Sequence, residues 1–258
     1  MQKFETDEDK ILIAKILDKQ KFCESKNRIT YSDFLNEKEK TFIKKNLRLE
    51  NYFFYGVSDN ADREILVFYP DKLNEELARN ALENIISVIR ITLPNELENE
   101  YEHRNYLSAL IKIGVAREKI GDILVYSNGA DIVVFNINKE YIIQSLKQLT
   151  RFRKSKIETI CLENIRKKQD NFEESTIIVS SMRIDNIVSE LFNCSRSKAE
   201  ELIKNERVYI NYEVILKSSK MVNIRDIVTI RGKGKFIVDG LVRNTRNERL
   251  VIKIKKYA

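Results

Sequence analysis

A chain of 258 residues, 43% hydrophobic and 33% charged, has the apolar content for a real core and the length for two or three domains. Its formal net charge of +7 is uneven: residues 181–258 carry 17 Lys+Arg against 9 Asp+Glu, whereas residues 1–150 carry 22 against 25, as expected of a nucleic-acid-binding end on a neutral body. Cys23, Cys161 and Cys194 are too far apart for a disulfide framework or a zinc site, and a charged N-terminus with no run of 18 apolar residues argues against a signal peptide or membrane span, so the expectation is a soluble cytoplasmic protein.

Residues 1–50 read as helical. Thr6 with Asp9 marks one capped start, followed by Ile13, Ile16 and Leu17; Asn36 with Glu39 marks another, followed by Phe42, Ile43 and Leu47. Tyr52 to Val57 and Ile65 to Tyr69 predict a strand pair around the polar turn Ser58 to Asp62, stopped by Pro70. The aromatic run Tyr52, Phe53, Phe54, Tyr55 offers a base-stacking platform or core packing, and strand spacing favours packing.

From Ile85 the periodicity alternates between strand and helix. Strands are predicted at Ile85 to Ile91, Ile120 to Tyr126, Ala130 to Asn136 and Ile157 to Leu162, with helices at Arg104 to Ile113 and Asn138 to Leu149. That is the β-α-β-β-α-β order of ferredoxin-like folds, shared by RNA-recognition-motif domains. The third strand, Asp131 to Asn136, lacks the basic, glycine and aromatic pattern that stacks bases, so this sheet is expected to be a scaffold or docking surface.

His103 is the chain's one histidine, and a structural role is expected of it; with Arg104 and Arg117 it is a candidate polar joint where the helix meets the next strand, and a candidate middle-domain contact. Beyond it, Arg151, Arg153, Lys154, Lys156, Arg166, Lys167 and Lys168 form either a solvated surface or an extension of an RNA footprint. The acidic stretch Asn171 to Ser175, with Glu173 and Glu174, reads as a linker.

In the C-terminal third, Ile184, Ile187, Val188, Leu191 and Phe192 give one helical face, and Ser195 caps a second helix carrying Ala199, Leu202 and Ile203. Arg196 and Lys198 stand in its first turn, where cations oppose the helix dipole but suit a phosphate site. Short strands follow at Val208 to Ile210 and Ile227 to Ile230. The basic turn Arg231-Gly232-Lys233-Gly234-Lys235 then leads into Phe236; no Gly-Lys-Ser/Thr follows, so it is not a nucleotide P-loop.

Met182 to Asp185, Ser195 to Ala199, Val208 to Asn211, Lys217-Ser218, Asp226 and Arg231 to Phe236 together resemble the S-four-type RNA-binding domain first seen in a ribosomal small-subunit protein. Glu206 and Arg225 stand where that family has glycine and are expected at positive-φ turn positions. The run Tyr101-Glu102-His103-Arg104-Asn105-Tyr106-Leu107-Ser108, continued by Gly114 and Arg117 to Ile123, resembles the signature of the YlmH-like family, with Asn105 and Ser108 replacing its usual Asp and Gly. That resemblance implies a bacterial ribosome-associated RNA-binding factor linked to rescue of obstructed large subunits carrying peptidyl-tRNA.

The expected fold class is therefore α+β: an N-terminal helical and hairpin domain over 1–75, a ferredoxin-like middle domain over 76–170 and an S-four-type domain over 175–258. The candidate RNA contacts are Arg183, Ser195, Arg196, Ser197, Lys198, Lys204, Arg207, Asn211, Lys217, Arg231, Lys233 and Lys235. The expected partners are rRNA and tRNA on the large ribosomal subunit, with the chain a monomer, no cofactor, no metal and no membrane. An RNA-modifying enzyme, of pseudouridine synthase or methyltransferase type, is the alternative, and it would need a catalytic domain the sequence does not display. A protein-interaction adaptor using the middle sheet is compatible with either.

Overall fold

Thr6 starts the first helix, α1 (Asp7–Lys26), through a reciprocal capping box with Asp9, and Asn27 ends it in the left-handed conformation. Its buried stripe is Ile13, Ile16 and Cys23. Two short strands, β1 (Thr30–Tyr31) and β2 (Leu35–Asn36), break the region that reads as helical before α2 (Glu37–Asn46), itself boxed by Asn36 and Glu39. Both pair with β4 (Arg63–Phe68), which also pairs with β3 (Tyr52–Tyr55), so β4 is the hub of this small sheet. The structure, a computed structural model, describes residues 6–58, 61–166, 172–245 and 248–257, so part of the expected turn at Ser58 to Asp62 lies outside the described residues. The aromatic run packs inward: Phe53 is buried under the Arg79 guanidinium, 4.3 Å from its ring centre, and Tyr52 meets Phe54 edge-on.

A short helix, α3 (Glu75–Asn80), leads into the middle sheet. Its strands are β5 (Ile86–Thr92), β6 (Ile120–Tyr126), β7 (Gly129–Phe135) and β8 (Lys156–Ile160), in the order β6-β7-β5-β8 with all neighbours antiparallel. The crossovers are α4 (His103–Lys112) and α5 (Lys139–Gln148), giving the expected ferredoxin-like order. Alternation along β7 sends Ala130, Ile132 and Val134 into the core beneath the helices, and Val133 and Phe135 to the opposite face.

That opposite face is closed. Phe34, Phe53, Ile65, Val67, Ala78 and Leu82 share one core with Ile86, Val133 and Phe135, and the Phe34 ring lies 4.6 Å from that of Phe135. Gly121 admits this contact, because a Cβ there would stand 2.8 Å from Phe34 Cε1. The N-terminal segment and the middle sheet thus fall within one compact unit, residues 1–168; residues 169–258 form a second.

The second unit is built on a six-stranded antiparallel sheet. Its strands are β9 (Phe172–Val179), β10 (Val208–Ile210), β11 (Glu213–Val214), β12 (Ile227–Ile230), β13 (Gly234–Asn244) and β14 (Leu250–Tyr257), ordered β11-β10-β12-β13-β14-β9. Two helices, α6 (Ile184–Phe192) and α7 (Arg196–Lys204), bury Ile184, Ile187, Val188, Ala199, Leu202 and Ile203 against Val208, Ile210, Val228, Ile230 and Phe236.

The acidic stretch expected to be a linker is a strand. Glu173 and Glu174 lie in β9, an edge strand paired along its length with β14, where Lys256 Nζ stands 2.8 Å from Glu173 and Lys253 Nζ 2.9 Å from Glu174. Their charges are cross-strand partners rather than signs of disorder. Glu206 and Arg225 do adopt positive φ, 57° and 73°, as their places in the pattern predict.

Candidate nucleic-acid interface

Two groups of cations stand on the second unit. The first is organised by a carboxylate. Asp185, in the first turn of α6, is fully buried and accepts from Asn186 N at 2.9 Å. Arg183 reaches it with Nε at 3.1 Å and Nη2 at 2.6 Å, and Arg196 with Nη2 at 2.8 Å. Burial is the largest influence on this carboxyl and pushes its pKa up, but the hydrogen bonds from Arg183 and Arg196 outweigh it and hold the group below the usual carboxylate range. The two arginines therefore fix the joint between α6 and α7, with an exposed edge left on Arg196.

The rest of that helix start is equally occupied. Ser195 Oγ accepts from Lys198 N at 3.3 Å as the N-cap, and Lys198 Nζ pairs with Glu201 at 2.8 Å on the exposed surface. Ser197 is exposed in the first turn. Asn211 acts as a clamp: Nδ2 donates to Asp226 at 2.8 Å, and its Oδ1 accepts from Ile227 N at 2.9 Å. These contacts explain Asn211 without invoking RNA.

The second group surrounds the glycine-punctuated turn. Arg207 Nη2 donates to the Arg231 carbonyl at 3.0 Å, and Arg231 N donates to the Arg207 carbonyl at 2.9 Å, tying the start of β10 to the turn after β12. Gly232 and Gly234 hold φ of 88° and 123°, which only glycine adopts easily, so the turn needs both. The cations extend over aromatic rings: Arg231 lies 5.2 Å from Tyr209, Lys233 5.9 Å from Phe192, and Lys235 5.2 Å from Tyr212. Phe192 ends α6, two residues before the Cys194-Ser195 start of α7, so the Lys233 contact brings the turn toward the first group. Lys204 and Lys217 are exposed, on the last turn of α7 and in the loop after β11.

Tyr209, Tyr212 and Phe192 are the residues missing from the sequence-derived list. Their signal was present for Tyr209, which alternates with the buried Val208 and Ile210 and so faces away from the core.

The middle-domain trio does not form one joint. His103 and Arg104 open α4, with Arg104 pairing to Glu102 at 3.1 Å, whereas Arg117 follows the helix's far end. Ten helical residues separate the two ends by roughly 14 Å. Arg117 instead donates Nη1 to the Ile120 carbonyl at 2.7 Å, and burial, followed by the neighbouring Arg63, lowers its pKa. Among the described residues, no group of three or more His, Cys, Asp and Glu side chains is placed to hold a metal ion, and no helix is long and apolar enough to cross a membrane.

Comparison with known families places this geometry. Residues 182–228 match the S4 domain, and residues 82–164 match the family described as the putative RNA-binding domain in YlmH. The chain resembles YlmH-type proteins in carrying both matches. The S4 match takes in both helices, β10, β11 and the first two residues of β12 in the second unit and stops before the basic turn, while the YlmH match spans the middle sheet and its crossovers. The ribosome-associated protein quality control protein P2 of Bacillus subtilis (strain 168) is 24% identical to this chain over 250 residues, 96% of this chain and 95% of that protein. A solved structure titled cell division protein ylmH from Streptococcus pneumoniae aligns over 64% of this chain and 99% of its own, at 20% identity and a TM-score of 0.49.

Proposed function

We propose that this protein is a non-catalytic, cytoplasmic, monomeric factor that binds structured rRNA and tRNA on the ribosome, acting on large subunits that carry peptidyl-tRNA during rescue of stalled translation. The observation that carries the reading is the cation surface of Arg207, Arg231, Lys233 and Lys235, set over aromatic rings on an S4 unit. Such a surface grips the phosphate backbone, which positions a protein on folded RNA without reading its bases. The full-length likeness to a quality-control protein supports the ribosomal setting.

The arginines on Asp185 play a supporting part in this reading. They lock α6 against α7 so that the cap residue Ser195 and the exposed edge of Arg196 are presented in fixed geometry.

A sucrose gradient of cell lysate containing the tagged protein, followed by ultraviolet crosslinking and sequencing of the bound RNA, tests the proposal. It predicts co-migration with large subunits and crosslinks to both rRNA and tRNA. Migration only at the top of the gradient would contradict it. Loss of a base modification from the rRNA or tRNA of a deletion strain, restored by the purified protein, would establish the modifying-enzyme reading instead.

A further inference from the structure

In recognition-motif domains, RNA lies on the open face of the β-α-β-β-α-β sheet, and here that face is taken by the protein itself. Val133 and Phe135 are buried beneath the N-terminal segment, and the fully buried Asp131 between strands is engaged by Arg90 at 2.7 Å. The chain after β8 covers the same face: Leu162 and Ile165 pack into that core, and Arg166 N donates to Asp131 at 3.2 Å. A domain of an RNA-binding type must then meet RNA elsewhere.

We propose that the end of this domain formed by the last turn of α5, the 3₁₀ turn Thr150–Phe152 and the start of β8 is a second, independent RNA-backbone site. It rests on the reading that the chain binds rRNA or tRNA. Residues 147–156 hold five cations and no acid. Lys147, Arg153 and Lys154 are exposed and have no ion-pair partner among the described residues; Lys156 is taken by Glu158 at 2.8 Å.

Arg151 is preorganised between them. Its Nη1 donates to the Asn105 carbonyl at 2.6 Å and to Ser108 Oγ at 3.2 Å, and its guanidinium lies 5.7 Å from the Tyr101 ring. The ring is backed by Phe152 and Tyr106, at 5.8 and 6.1 Å, so the platform beneath the cations is rigid. Because these rings pack on one another, the surface offers charge rather than stacking, which suits phosphate. Ser108 thus holds Arg151 with its side chain and Asn105 with its main-chain carbonyl. Glu96, Glu98 and Glu100 precede Tyr101 and Glu102 follows it, limiting the patch on that flank, with Glu102 paired to Arg104 at 3.1 Å.

The test uses the full-length protein with fluorescent tRNA, with protein-free large-subunit rRNA and with isolated large subunits at several salt concentrations. It compares wild type, the triple variant Lys147→Gln/Arg153→Gln/Lys154→Gln, and the S4 variant Lys233→Gln/Lys235→Gln. Three lost phosphate contacts should flatten the log-affinity against log-salt slope by about two to three units and weaken binding roughly 50- to 150-fold near 0.15 M salt, with unchanged thermal unfolding. The effect should add to that of the S4 variant. An unchanged slope in the triple variant, with binding weakened only in the S4 variant, overturns the second site and leaves the proposed function standing. Loss of subunit binding with binding to both tRNA and protein-free large-subunit rRNA intact also overturns it, because the patch would then be docking a protein. If the wild type binds none of these probes, both proposals fall together.

Discussion

Arg196 lays its guanidinium on the buried carboxylate of Asp185, Nη2 to Oδ2 2.8 Å, across the turn between α6 and α7. Lys198, two residues on, pairs with the exposed Glu201. The two first-turn cations therefore differ in kind. Arg196→Ala should destabilise the second unit by about 1–2 kcal/mol, since it removes charge-assisted bonds from a buried acid. Lys198→Ala should cost less than about 0.5 kcal/mol. Urea unfolding of the two variants checks the contrast, and equal midpoints would contradict it.

Acid should unfold both units from the same cause. For Asp131, as for Asp185, burial is the largest influence and raises the pKa, while hydrogen bonds from its arginines (Arg90 and Arg166 for Asp131) prevail and lower it. A carboxyl whose folded pKa lies below its unfolded value adds stability that is complete above the unfolded pKa, near 3.9, and is lost as pH falls through the folded pKa. Stability should thus be level with respect to these groups above about pH 5 and fall below about pH 4. Urea midpoints between pH 3 and 7 measure it, and Asp131→Asn should shrink the acid-side slope.

Glu206 and Arg225 carry left-handed backbone at φ 57° and 73°. Glycine at either position should raise stability by roughly 0.5–1 kcal/mol, the relief of the Cβ clash less the entropy glycine gains when unfolded. Glu206→Gly should also tighten RNA binding by removing an acid beside Arg207. A lower thermal midpoint in both variants would show that the side chains make contacts worth more than the strain.

The second unit should fold by itself when cut at its structural boundary. A fragment beginning at Gln169 retains β9, which shields the β14 edge and brings Val179 to the core. A fragment beginning at Ser180 lacks it and should unfold at markedly lower urea or aggregate through the bared strand. Equal midpoints for the two fragments would show that β9 adds nothing.

Much of this was legible because it is local. The capping boxes at Thr6 and Asn36, the cap at Ser195 and the alternation along β7 each depend on residues a few positions apart. The missing glycines at 206 and 225 announced their φ for the same reason. What stayed hidden is long-range. Glu173 and Glu174 look like linker residues until Lys256 and Lys253, about 80 residues later, arrive beside them. Phe34 looks like part of a helical region until Gly121 opens the sheet to it. Arg196 and Lys198 look alike as exposed cations, and only the packing of α6 on α7 sets Asp185 under the first and not the second.

The most direct test of the central claim, that the basic surface of the S4 unit anchors the protein on RNA, is the salt dependence of binding to isolated large subunits. For about four to six phosphate contacts the slope of log affinity against log salt should lie near −3 to −5. The variant Arg231→Gln/Lys233→Gln/Lys235→Gln should flatten it by about two units while the fold is kept, because these side chains point outward over Tyr209, Phe192 and Tyr212. An unchanged slope with full subunit binding in that variant would contradict the claim.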